Sequence, residues 1–294
     1  MKARSIKFLF LFFGPGVFAQ PNTEVYLMDI NQSDNSLWIS SFKNVSNNNG
    51  YDNQPSFDGN DRLYYAGTRN GQTDIVQYDI TKHLKKWFNV LTSGSEYSPK
   101  LIPETYMVAA VRLDTSGLQR LYLYQNASGT SSLFVDLAVA YFNFYDNQTV
   151  LASVLSSGQL DLVLSDLRKN SHDTIALNVG RSIHKVPGKE AMSYAVVNDE
   201  KNYEIFEIDM DGKYEGHFVC ELPIGVQDFT HINETQFLIG SGDKLYLYDL
   251  FGSGDWMEVA DLSAYRIKDI TRLAISPDGT KLALVAEPVS EIRK

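Results

Sequence analysis

The chain has 294 residues, a formal net charge of −10 and one cysteine, with 21% charged and 12% aromatic residues. Frequent apolar runs exclude a disordered chain, and a single thiol excludes an internal disulfide framework. Strong acidity excludes a nucleic-acid surface, which needs clustered Lys and Arg.

In chain order, Lys2, Arg4 and Lys7 precede the apolar stretch 8–13, then Gly14, Gly16 and Ala19 before Gln20. A basic start, a short apolar core and small residues near a cut site describe a secretory signal peptide. The apolar stretch is too short to span a bilayer. Residues 1–19 are therefore expected to be removed, leaving one domain over 20–294. Loss of three basic residues leaves 26 − 3 = 23 basic and 36 acidic residues, a net charge of −13. No cysteine follows this segment to carry a lipid, and no later run approaches a transmembrane span. The mature chain is expected to be a monomer in the periplasm or outside the cell.

From there a short strand recurs six times, at 24–29, 74–79, 120–125, 161–166, 204–209 and 244–249; five copies close on Asp. From the second copy onward the starts lie 46, 41, 43 and 40 residues apart. A period near 40 built only of strands marks β-propeller blades of four strands each. A second set of anchors runs in phase, at 54–57, 98–101, 141–144, 183–186, 229–232 and 272–275, and each predicts an inner strand. Turn signals such as Asp58-Gly59 and Pro277-Asp278-Gly279 follow several anchors and supply the positive φ of tight hairpins. An apolar second strand comes next, and a shorter fourth strand is predicted at 87–91 and 133–135. Lys82 to Lys86 is expected to be a solvated loop, and Cys220, in the apolar strand 218–222, a buried inert thiol.

The two ends complement each other. The last repeat, 271–287, has only inner strands, whereas 24–30 and 37–42 supply only an outer pair. Together they predict an all-β, six-bladed β-propeller whose last blade is closed by the N-terminal strands, with no free edge.

The segment Ile275-Ser276-Pro277-Asp278-Gly279-Thr280-Lys281, continuing into the apolar strand 282–285, resembles the WD-like repeat of TolB-type propellers. Gln54-Pro55-Ser56-Phe57-Asp58-Gly59, followed by 69–75, is similar to the same pattern. The resemblance covers the mature chain by period, and the first and last repeats by motif. It implies the propeller fold and an envelope setting. TolB proteins add an α/β domain ahead of the propeller, for which this chain has no room, so the Tol–Pal translocation role is not implied.

Residues just before each inner strand are expected to line one mouth of the central channel. They are Asp52 and Gln54, Glu96 and Tyr97, Tyr141, Arg181 and His184, Asp228, and Asp269 with Arg272; Arg112 joins from the end of a second strand. This polar, mixed-charge set suits a polar ligand or a peptide loop. His184 is expected to stay neutral beside Arg181, since a neighbouring positive charge disfavours the imidazolium. Strand alternation should turn His184 and His231 to opposite faces, and the arginines compete for the carboxylates, so no metal is expected. No cofactor motif is present, and no G-x-S-x-G elbow marks a hydrolase.

The sequence thus points to an exported, non-catalytic binding or scaffold propeller that engages an envelope protein or glycan through its loop faces. The alternative is a small hydrolase or lyase acting on a polar or anionic compound. Arg112, Arg181 and Arg272 would then hold the anion, with His184 as general base oriented by Glu96 or Asp52.

Overall fold

The computed structural model describes residues 21–33, 36–125 and 130–289. The expected signal peptide, 1–19, lies outside the described residues. Twenty-four strands form six antiparallel four-stranded sheets. Blade 1 runs β3 (Asn53–Asp58), β4 (Arg62–Arg69), β5 (Gln72–Asp79), β6 (Leu84–Trp87). Blade 2 runs β7 (Ser95–Leu101), β8 (Met107–Leu113), β9 (Gln119–Gln125), β10 (Ser131–Val135). Blade 3 is β11 (Val139–Phe144) to β14 (Ser171–Ala176), through β12 (Thr149–Ser156) and β13 (Gln159–Asp166). Blade 4 is β15 (Val179–Lys185) to β18 (Gly216–Glu221), through β16 (Ala191–Val197) and β17 (Tyr203–Asp209). Blade 5 is β19 (Thr230–His231) to β22 (Met257–Asp261), through β20 (Gln236–Ser241) and β21 (Lys244–Asp249).

Blade 6 joins the two ends of the chain. Its inner strands are β23 (Ile267–Ile275) and β24 (Lys281–Pro288), and its outer pair is β1 (Glu24–Ser33) and β2 (Ser36–Asn44). The β1–β24 ladder runs from Glu24 opposite Ala286 to Asp29 opposite Lys281, and a 2.7 Å ion pair between those last two side chains ends it. The turn before β24 is built by Asp278, whose Oδ1 accepts from Ser276 Oγ at 2.6 Å and from the Thr280 amide at 3.1 Å. Gly279 beside it takes φ 70°, which a side chain would strain.

The core is divided among six seams between neighbouring blades. Leu282 and Leu284 pack with Leu238, Leu245 and Leu247 of blade 5. Ala283 and Val285, pointing the other way, pack with Leu63, Tyr65 and Val76 of blade 1. All four of these β24 side chains are 0% exposed. Strands buried on both faces explain why the inner repeats read as continuous apolar runs rather than alternating ones.

Two local expectations need correction. The fourth strand of blade 1 is Leu84–Trp87, so it contains Lys85 and Lys86, and 88–91 is loop. All four side chains of β6 are exposed, and charge on an outermost strand discourages pairing with other chains. The ladder stops because Asn89 Oδ1 takes the Ile75 amide at 2.9 Å. In blade 5 the inner strand is only two residues long. Cys220 is buried at 4%, and burial pushes its thiol pKa up to about 12.

Deleting residues 21–44 should expose the edge of β24 and produce aggregation or a large fall in melting temperature. Leu284→Ala should cost about 2–5 kcal/mol. Size-exclusion chromatography and thermal melts check both, and an unchanged monomer on deletion would contradict ring closure.

Candidate functional site

The channel wall is shaped by bulges. In five of the six inner strands the ladder to the second strand slips, between Asn53 and Ser56, Tyr97 and Lys100, Val139 and Tyr141, Val179 and Ile183, and Lys268 and Arg272. Gln54, Ser98 and Asp269 within these bulges hold positive φ of 57°, 51° and 53°. A bulge re-aims the side chains around it. All six blades thereby contribute to one chamber of about 60 Å³, whose polar lining includes Gln54, Lys100, Tyr141, Arg181, His184, Asp228 and Arg272. A vestibule of about 380 Å³, between blades 5 and 6, shares Arg181, Asp228 and Arg272 with it.

Positive charge dominates this chamber. Arg272 Nη1 lies 3.1 Å from Asp228 Oδ1, and its guanidinium sits 5.2 Å from the centre of the Tyr141 ring. Burial opposes that charge, yet Asp228, Tyr141 and Tyr51 together lift the Arg272 pKa. Arg181 donates from Nη2 to the Thr271 carbonyl at 2.7 Å, while its Nε stands 3.9 Å from Asp228. That Nε and the Thr271 hydroxyl are buried without a hydrogen-bond partner. Burial, followed by the Arg272 charge, lowers the Arg181 pKa.

Lys100 has no hydrogen-bond or ion-pair partner for its ammonium among the described residues. Burial pushes its pKa down to about 8, with Asp228 pulling it back and Arg272 adding to the fall.

His184 accompanies them, its Nε2 2.9 Å from Ser182 Oγ and its ring 4.8 Å from Phe229. Its pKa lies well below the ordinary value, through burial first and then His231, Lys100 and Arg272. The expected cause, Arg181, is not among these. His231 Nε2 bonds Ser193 Oγ at 2.7 Å, and burial lowers its pKa to about 4. The two imidazoles were expected on opposite faces, yet they approach to 6.3 Å across Phe229. Among the described residues no three His, Cys, Asp or Glu side chains converge to hold a metal.

Of the eleven residues expected at the mouth, Gln54, Tyr141, Arg181, His184, Asp228 and Arg272 line the chamber. Tyr97 packs edge-on against Tyr51, with ring centres 6.1 Å apart. Asp269 is exposed on the vestibule rim and pairs with Lys268 at 3.3 Å. The remaining three lie elsewhere. Asp52 is 1% exposed and held by Asn48 Nδ2 at 3.2 Å, in the seam between blades 6 and 1. Glu96 is 0% exposed and accepts from Thr92 Oγ1 at 2.6 Å and Tyr124 OH at 3.0 Å, between blades 1 and 2. No hydrogen bond of either carboxylate runs to His184, so neither orients it. Arg112 pairs with Asp114 at 2.8 Å and lies 3.5 Å from the Tyr122 ring centre, away from the chamber. Asp52 and Glu96 stand just ahead of the bulges, where they turn into the seams between blades, and Arg112 sits in the regular β8–β9 ladder opposite Arg120.

Lys100 and Tyr51 were missed. The signal for Lys100 was a cation inside an inner-strand anchor that carries no other charge, Ser98-Pro99-Lys100-Leu101. Tyr51 is enclosed beside Arg272 and Arg181, and burial raises its pKa strongly.

Between about pH 8 and 10 the folded chain binds fewer protons at Lys100 than the unfolded chain does, so stability at this residue rises with pH through that window. Lys100→Met should melt higher than the native sequence at pH 7, by at most about 3 kcal/mol. The difference should shrink toward pH 10. Thermal melts across that range check it, and a constant or reversed difference contradicts it.

No family model matches the sequence, and no curated protein matches it. Solved structures match by shape. TolB from Acinetobacter baumannii shares 10% identity over 91% of this chain and 64% of its own, with a TM-score of 0.58. A TolB-assigned protein from Agrobacterium tumefaciens shares 12% over 91% and 99%, with a TM-score of 0.66. An oligogalacturonate lyase from Vibrio parahaemolyticus shares 11% over 86% and 81%, with a TM-score of 0.54. The chain spans just under two thirds of the Acinetobacter protein and nearly all of the Agrobacterium one. Likeness at such identities is likeness of fold. By architecture, the chain is a TolB-like six-bladed β-propeller.

Proposed function

We propose that this protein is an exported, non-catalytic binding propeller of the cell envelope that docks a protein partner on the face where its inner strands begin. The observation that carries this is the apolar rim around that mouth. Loops feeding the inner strands, and turns joining second to third strands, fall on this face by topology. They carry Val90, Leu91, Leu118, Leu177 and Ile224, and the end of β12 carries Leu155, all between 44% and 87% exposed. Isolated exposed aliphatics are ordinary, but several around one opening suit a partner surface. The opposite face also exposes Tyr106 and Phe251, whereas the vestibule is lined by Ile224, Gly225 and Ser241 of the first face. This arrangement, apolar around a polar centre, reverses the common apolar core and polar rim of an interface, so the partner's apolar contacts would fall around the opening and its polar contacts within it. The hydrolase or lyase alternative draws no comparable support, because the carboxylates it needs beside His184 bond elsewhere.

Ile224→Glu and Leu177→Glu should abolish capture of the partner that the native protein retains from envelope extract. Phe251→Glu, on the opposite face, should leave that capture intact. All three positions are exposed, so stability should change by no more than about 0.5 kcal/mol. Quantitative pull-down with thermal melts tests this, and undiminished capture by both rim variants overturns it.

Export rests on the pattern of residues 1–19. Mass spectrometry of the exported protein should show a chain beginning at Gln20; an intact Met1 on a cytoplasmic protein would refute export.

A further inference from the structure

We propose that the channel chamber is a carboxylate-binding site in which Lys100, Arg181 and Arg272 hold the acidic group of a ligand entering through the vestibule. Two independent observations carry it. The first is unmet hydrogen bonding. Lys100 presents an ammonium with no partner among the described residues, and Arg181 Nε and Thr271 Oγ1 are buried without one. Buried polar atoms are seldom left unpaired in folded proteins, and those that are call for an unseen partner. Of the two buried orphans Arg181 Nε can only donate and the Thr271 hydroxyl can donate, and the half-buried Lys100 ammonium adds a further donor, so the missing partner is an acceptor.

The second observation is charge. Lys100, Arg181 and Arg272 face the single carboxylate Asp228, and His184 is neutral, so the chamber carries 3 − 1 = 2 positive charges. This stands inside a chain of net charge −10. Asp228 is already engaged by Arg272 Nη1 and the Leu273 amide. It leaves Lys100 and one edge of Arg181 free for an added anion.

Size and charge select the ligand's chemical class. About 60 Å³ admits a few water-sized groups, enough for a planar carboxylate. The ligand's remaining atoms fit the adjoining vestibule of about 380 Å³. The two in-plane oxygens of a carboxylate match the two open donors, Lys100 Nζ and Arg181 Nε, and a planar group suits the small chamber better than a tetrahedral phosphate. The carboxylate can come from a free small acid or from an acidic side chain of the docked protein.

Calorimetric titration of the exported protein with glutarate, at pH 7 and low salt, tests the site, with glutaramide as the uncharged isostere. Glutarate should bind and raise the melting temperature, and glutaramide should do neither. Lys100→Met and Lys100→Gln should each weaken glutarate binding roughly tenfold or more, the loss of one charge-assisted contact. Melting curves of the unliganded variants confirm that they fold. Absence of glutarate binding, or equal binding by the native protein and both variants, overturns the proposal. A second arm identifies the source. Displacement of the captured partner by saturating glutarate assigns the carboxylate to the partner, and unaffected capture assigns it to a free acid. Leu177→Glu, which lines neither the chamber nor the vestibule, should bind glutarate as the native chain does, so failure of the docking proposal and failure of the carboxylate site are separately visible.

Discussion

Burial of both faces of the middle strands of each blade is the constraint on which this molecule depends. Val25 and Leu27 pack toward blade 1 while Tyr26 and Met28, one residue out of phase, pack toward blade 5. A sheet with two apolar faces cannot end in water, so each blade needs a neighbour on both sides. Only a closed ring satisfies all six at once. The outer pair of blade 6 comes from the opposite end of the chain, which makes closure and complete folding one event. Burial on this scale is the main favourable contribution to stability in a chain without a disulfide.

The bulges that open the channel wall would leave backbone carbonyls unpaired, and neighbouring blades supply donors for them. Ser153 Oγ donates to the Gly180 carbonyl at 2.7 Å, Ser182 Oγ to that of Phe229 at 3.3 Å, and Asn143 Nδ2 to that of Ile183 at 2.9 Å. Small hydroxyl and amide side chains thus do two jobs at the channel wall: they satisfy freed backbone groups and they tie one blade to the next. The chamber inherits its shape from this arrangement, since the same slips in register aim Gln54, Arg181 and Ser182 inward.

Seam carboxyls show the same economy of partners. Asn48 bridges Asp52 and Glu24, and Asn89 bridges Glu96 and Asp74. Burial pushes both the Asp52 and the Glu96 pKa up to about 7, against the opposing effect of their hydrogen bonds. Two buried acids with one neutral bridge avoid facing each other as full charges. Glu24 opens β1 and Asp74 is the third residue of β5, equivalent third strands of adjacent blades, so this is one repeat feature expressed twice. It accounts for acidic residues at these positions without any part in ligand chemistry.

Strand number, period and ring closure were legible in the sequence, because they follow from local apolar patterning and from two chain ends that each lacked what the other had. The TolB-like repeat of 275–285 marked a turn whose Asp278 and Gly279 geometry depends on those residue types alone. The site was legible in half. Arg181, His184, Asp228 and Arg272 could be placed because they enter inner strands, whereas Asp52, Glu96 and Arg112 could not be told from them by position. Lys100 was hidden for the same reason. Which face a side chain takes at a bulge depends on how two strands slip past each other and on what the next blade offers its freed carbonyls. Those contacts join residues about 40 apart, such as Asn143 with Ile183, and only the folded ring brings them together.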